Sequence, residues 1–132
     1  MSGFWLTEEQ EAIREGVSKV MAGFDAEYWR NADETGRFPE EFVAAMAEGG
    51  WLGVAMPEEF GGSGLGLTEA AIVMQTVAQS GAAFTGASAV HLNIFGLMPI
   101  VKFGTEEQKK RHLPRTIAGE DKACFAVTEP NS

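Results

Sequence analysis

Side chains with reactive chemistry are few in this 132-residue sequence. Its histidines are His91 and His112 and its one cysteine is Cys124, and their spacing matches neither a zinc site nor a nucleophile paired with a base. Acidic pairs recur at Glu8-Glu9, Glu40-Glu41, Glu58-Glu59 and Glu106-Glu107. Two carboxyls could serve as the acid and base of a glycosidase, but these pairs sit in first helical turns or a loop, where complementing the helix dipole and aiding solubility explain them better. The glycine-rich stretch from Pro57 to Gly66 could cradle a phosphate. It lacks a following Gly-Lys-Ser/Thr and does not place G-x-G-x-x-G behind a strand, so it reads as a structural loop. The basic run Lys109-Lys110-Arg111-His112 could bind an anion, and reads better as a solvated helix end.

The chain's charge narrows the choice further. Ten Lys+Arg against nineteen Asp+Glu leave a formal net charge of −9, which repels phosphate backbones and argues against nucleic acid. Acidic residues dominate the first third, and most basic ones lie in the last, where an anionic ligand would prefer to sit. With 45% apolar residues, a chain of this length can bury a core as one domain. A lone Cys124 forms no intrachain disulfide and fits a reducing compartment. The start, Met1 to Glu9, has neither the basic end nor the apolar run of a signal peptide or membrane anchor, so the expected location is cytoplasmic.

Helical periodicity supplies the elements. Thr7-Glu8-Glu9-Gln10 is a capping box, and Ile13, Val17, Val20, Phe24 and Tyr28 continue from it on one face, predicting one helix that ends near Gly36. Pro39 opens a second helix, with Phe42, Val43 and Met46 as its apolar stripe and Gly49-Gly50 as its stop. Thr68 is the expected cap of a third, with Glu69 in its first turn and Ile72, Val73, Thr76, Val77 and Ser80 on its buried side. Phe84 to Phe103 is apolar almost all round, so it should be buried on several sides, and Pro99 should kink or split it. His91, Asn93, glycines and Pro99 interrupt it too often for a membrane span. A second capping box at Thr105 opens a fifth helix that runs to Pro114.

Lys122 to Thr128 alternates like a strand, yet no second strand is available to pair with it. The expected organisation is therefore a helical domain over 1–121 and, over 122–132, an unpaired strand and its tail, so the chain looks cut short.

The ordered series F-P-E-E-F (38–42), W-L-G-V-A-M-P-E-E-F-G-G-S-G-L-G (51–66), M-P-I-V-K-F-G-T-E-E-Q-K-K-R-H-L-P (98–114), G-E (119–120) and F-A-V-T-E-P (125–130) resembles the N-terminal region of the acyl-CoA dehydrogenase family. G-T-E-E-Q-K and T-E-P together, about twenty residues apart, are the specific elements. The resemblance implies an all-α domain of five to six helices followed by the first strand of a β-domain, with FAD bound farther along the family's chain. Members usually continue T-E-P-x-x-G-S-D, and this sequence stops before Gly-Ser-Asp.

The implied chemistry is α,β-dehydrogenation of an acyl-CoA thioester to the trans-2-enoyl-CoA, with electrons passing to an electron-transfer flavoprotein and a homotetramer as the usual assembly. The family's catalytic base lies in its C-terminal domain, so no glutamate here is assigned that role. By motif position, Phe125, Val127 and Thr128 approach the flavin. Ala87, His91 and Phe95, spaced by four with Ser88 beside them, share one helix face, and in the family the matching face lines the acyl channel. His91 on that face implies a buried partner or a cavity. The alternatives within the resemblance are an acyl-CoA oxidase or flavin monooxygenase, and outside flavin chemistry an inactive helical interaction subunit of the same fold.

Overall fold

The structure, a computed structural model, describes residues 6–131. Met1 to Trp5, on which most of the reading of the N-terminal start rests, and Ser132 lie outside them. Among the described residues the chain is all-helical: α1 (Glu8–Met21), α2 (Ala26–Thr35), α3 (Glu40–Glu48), α4 (Leu67–Val77), α5 (Ala83–Phe95), α6 (Met98–Phe103) and α7 (Glu106–Ile117).

The capping box of α1 forms as the sequence requires: Gln10 N donates to Thr7 Oγ1 at 3.2 Å and Thr7 N to Gln10 Oε1 at 3.1 Å. The single helix expected over α1 and α2 is instead two. The chain turns at Ala22 to Phe24, and Asp25 caps a new helix by accepting from Tyr28 N at 2.9 Å. Side-chain spacing conceals this break, because Phe24 and Tyr28 still reach the same apolar side. Phe24, Trp29 and Phe42 meet edge to face or tilted with centroids 5.0–6.2 Å apart, and the Trp29 indole donates to the freed Phe24 carbonyl at 3.1 Å. Gly36, at φ +64°, ends α2, and Pro39 stands at the cap position of α3.

Two further boundaries differ from expectation. The cap of α4 is Gly66, not Thr68: the Glu69 carboxylate accepts from Gly66 N at 3.0 Å, so the helix closes its first turn without a hydroxyl. Ile72, Val73, Thr76 and Val77 are buried as expected, whereas Ser80 is exposed. At the other end of the chain, α7 continues through Pro114 to Ile117, because Leu113, Thr116 and Ile117 pack inward while Pro114 stays outside.

Taken end to end, Leu67–Phe103 is long and apolar enough to cross a membrane. A kink with Gly81 at φ +99° and a break at Gly96-Leu97 cut it into helices of 11, 13 and 6 residues. Each is shorter than the roughly 20 residues a span requires. Pro99 falls in the first turn of α6, where its missing N–H leaves no bond unmade.

The core has two parts. The larger joins α1 to α5 through Val17, Phe42, Met46, Leu52, Val73, Val90 and Ile94, and the smaller gathers Met56, Phe60, Leu113 and Ile117 under α7. The expected strand at 122–128 does not form. No second strand exists among the described residues, and an extended segment without one has no ladder to join.

Candidate functional site

The kink between α4 and α5 creates a largely apolar concavity at residues singled out above. Gly81 takes a left-handed conformation that glycine adopts freely, and Ala83 follows at φ +46°, a backbone state costly for a residue with a Cβ. The turn folds α5 back so that Met74 of α4 faces the start of α5. Met74, Phe84, Ala87, Ser88 and His91 then line a shallow depression of about 240 Å³.

The structure thus brings together Ala87, Ser88 and His91. Phe95 continues the same face one turn on, its ring centroid 5.5 Å from that of His91, but it packs against the core and does not line the depression. The expectation that this helix is buried on several sides is not met. Only Gly86, Val90, Asn93 and Ile94 are buried, while Phe84 is 82% exposed and Phe103 77%. His91 is exposed at the rim of the depression, so it meets neither a buried partner nor an enclosed cavity within this chain.

Met74 and Phe84 were missed by the sequence reading. Phe84 carried a signal, since it precedes Ala87 and Ser88 by three and four residues and so shares their side of the helix. Met74 carried none, because the glycine kink brings it there.

Phe125, Val127 and Thr128 lie in the extended segment that leaves the turn after α7. Phe125 is 62% exposed and Val127 75% exposed, and Thr128 is exposed with them. An exposed run of apolar side chains, peptide groups and one hydroxyl suits one edge of a flat heteroaromatic ring with polar atoms. From Ala123 to Thr128 it carries no cationic side chain to neutralise a phosphate.

Electrostatics elsewhere is structural. Glu41 lies below the ordinary carboxylate range because Arg37 donates to both its oxygens at 2.8–2.9 Å, and Tyr28 adds a bond at 3.0 Å. Asp121 is lowered by Arg115, which holds it bidentately with both bonds at 2.8 Å. Of the basic run in α7, Lys109 pairs with Glu106 at 3.1 Å.

The family model described as acyl-CoA dehydrogenase, N-terminal domain, matches residues 7–120. The acyl-CoA dehydrogenase FadE12 of Mycobacterium tuberculosis is 37% identical over 131 residues, which cover 99% of this chain and 33% of that protein. An acryloyl-CoA reductase (NADH) of Anaerotignum propionicum is 36% identical over 130 residues, 98% of this chain and 32% of the relative. A chain of the solved structure described as "Electron transferring flavoprotein of Acidaminococcus fermentans: Towards a mechanism of flavin-based electron bifurcation" superposes with a TM-score of 0.84 at 29% identity, over 98% of this chain and 34% of its own length. The chain spans about a third of the length of the curated relatives it matches.

Proposed function

The chain belongs to the acyl-CoA dehydrogenase family, as its N-terminal domain, and from that premise we propose that it forms one wall of a flavin-dependent site that interconverts a saturated acyl-CoA thioester and its trans-2-enoyl-CoA. One observation carries the reading: the apolar depression on α5 lies within residues 7–120 that the family model matches, the exposed segment with Phe125, Val127 and Thr128 follows directly after them, and neither is filled by this chain's own core.

The acyl chain lies along Ala87 and Ser88, with Phe84 and Met74 at its sides and His91 as a polar contact at the rim. Phe125 and Val127 offer backbone groups, and Thr128 a hydroxyl, to the polar edge of the flavin ring. Bound there, FAD would supply the hydride acceptor for the carbon next to the one that loses its proton. This domain excludes water from the acyl tail and fixes its direction, so that the thioester enters in one orientation. The base that removes the proton belongs to the family's C-terminal domain, outside this chain. Electron-transfer flavoprotein as acceptor and a homotetrameric assembly complete the proposal.

The same wall serves either direction, since one transition state governs both. The similarity to a protein named acryloyl-CoA reductase (NADH), at nearly the identity of the relatives named dehydrogenases, supports keeping the reductive direction as a second reading.

The test is the visible spectrum of the protein expressed from its complete reading frame. A bound flavin band that bleaches on anaerobic addition of a saturated acyl-CoA supports dehydrogenation. Bleaching by NADH and reoxidation by an enoyl-CoA supports reduction. A protein with no flavin removes both readings and leaves a helical interaction subunit.

A further inference from the structure

Asn93 is a polar side chain inside the core, only 3% exposed. It stands two residues after His91 and two before Phe95, which at 100° per residue places it on the opposite side of α5 from the depression. There its carboxamide nitrogen donates twice, to the Thr116 carbonyl at 3.2 Å and to the Asp121 carbonyl at 3.0 Å. Thr116 lies in the last turn of α7, and its carbonyl, which also accepts from Gly119 N at 3.1 Å, takes Asn93 as a second donor. Asp121 is the last residue before the extended segment.

We propose that Asn93 is a positioning residue that fixes the start of segment 122–128 to the helix carrying the acyl-facing residues, and so sets the distance between the two walls of the site.

Three features make the anchor point a defined one. The Arg115 guanidinium holds the Asp121 carboxylate, which closes the turn locally but ties it only to α7. Lys122 reaches Glu40 at 2.8 Å and lies 3.9 Å from the centroid of Phe38, an exposed contact that solvent screens. Next, Ala123 Cβ approaches so near to Gly96 that a Cβ there would stand 3.1 Å away. Beside these ties, Asn93, itself 3% exposed, links α5 to Asp121, the residue that opens the segment, through a part-buried hydrogen bond, and hydrogen bonds in such a setting are costly to leave unmade. Beyond Ala123 the segment is exposed, so its direction is inherited from this base.

The functional meaning rests on the reading of α5 and 122–128 as acyl and flavin walls, but the test reads geometry alone and is independent of flavin. Cys124 is the only cysteine, so a nitroxide attached to it in the 132-residue chain reports the segment directly. Asn93→Leu keeps the size and removes both donors. In a variant with unchanged helical circular dichroism, the correlation time of the Cys124 label should fall by about threefold or more as the segment loses its anchor. A control label at exposed Glu27→Cys on α2, in a Cys124→Ser background, should not change. An unmoved Cys124 label in the folded variant overturns the proposal. Equal loosening at both sites also overturns it, since that marks a merely structural role. Should Asn93→Leu not fold, hydrogen exchange in the unmodified chain decides. The Asn93 carboxamide protons should exchange about tenfold or more slowly than those of exposed Asn31, and equal rates overturn the assignment.

Discussion

Gln10 and Glu69 hydrogen-bond to each other, Nε2 to Oε1 at 2.8 Å, while each also closes the first turn of its own helix. A relay of side chains therefore runs from Thr7 N through Gln10 and Glu69 to Gly66 N, and it locks the N-termini of α1 and α4 in register. Those two helices make the most extensive helix pairing in the molecule. Register here matters to the site, because α4 carries Met74 and leads into the Gly81 kink.

This relay predicts a pH-dependent stability. Donation from Gln10 is the main reason the Glu69 carboxyl lies below its ordinary value near 4.5. A carboxyl lowered in the folded state contributes stability above its unfolded value and loses it as pH falls through the folded one. Gln10→Glu replaces the donor with a second carboxylate, so the thermal midpoint should fall at pH 7. The difference from the unmodified chain should shrink below pH 4.5, where protonation relieves the repulsion. Thermal melts at several pH values check it, and a constant difference would show that Glu69 is not the partner that matters.

Gly86→Ala tests the packing beneath the depression. A Cβ at Gly86 would lie 2.5 Å from Ala82 Cβ, 3.2 Å from Val77 Cγ1 and 3.3 Å from Trp29 Cη2. Alanine gains about 1 kcal/mol of helix propensity over glycine, against about 1–3 kcal/mol for overpacking a tight core. The overpacking dominates, and denaturant unfolding should show a net loss of stability. A stabilised variant would mean that α5 shifts outward without cost.

If the proposed acyl wall is right, substitutions that fill the depression lined by Phe84, Ala87 and Ser88 should change chain-length preference. In the complete protein, Ser88→Leu should fill part of the depression and shift preference toward shorter acyl thioesters by about tenfold per methylene-scale misfit. Phe95→Ala, at a position the family resemblance places on the acyl-channel face, should move the profile less, since Phe95 stands beside the depression. Profiles of kcat/KM against chain length distinguish them, and a larger effect from Phe95→Ala would make it the limit.

Thr128→Val in the complete protein removes one hydroxyl and keeps the shape. Loss of a hydrogen bond to the flavin should cost about 0.5–1.5 kcal/mol, read as roughly a threefold to tenfold weaker retention of FAD with unchanged helical content. Unaltered flavin affinity and unaltered reduction by substrate would assign Thr128 to packing alone.

Contacts made within one helical turn were legible from the residues themselves. Both Thr capping boxes, the left-handed Gly36 and the split near Pro99 follow from side chains three or four positions apart, and they form as the spacing requires. So does the shared face of Ala87, Ser88 and His91. What the sequence left open depends on chain that is distant or turned. The break at Ala22 to Asp25 preserves the apolar spacing on both sides, so periodicity passes through it unseen. Met74 meets Phe84 only because Gly81 reverses the path between them, and Asn93 finds its acceptors 23 and 28 residues ahead. An alternating segment such as 122–128 has the pattern of a strand, but a strand is a relation between two segments, and pattern in one cannot supply the other's hydrogen bonds. Local bonding was written in the residues. The concavity, the base of segment 122–128 and the absence of a ladder among the described residues were decided by which distant groups came into reach.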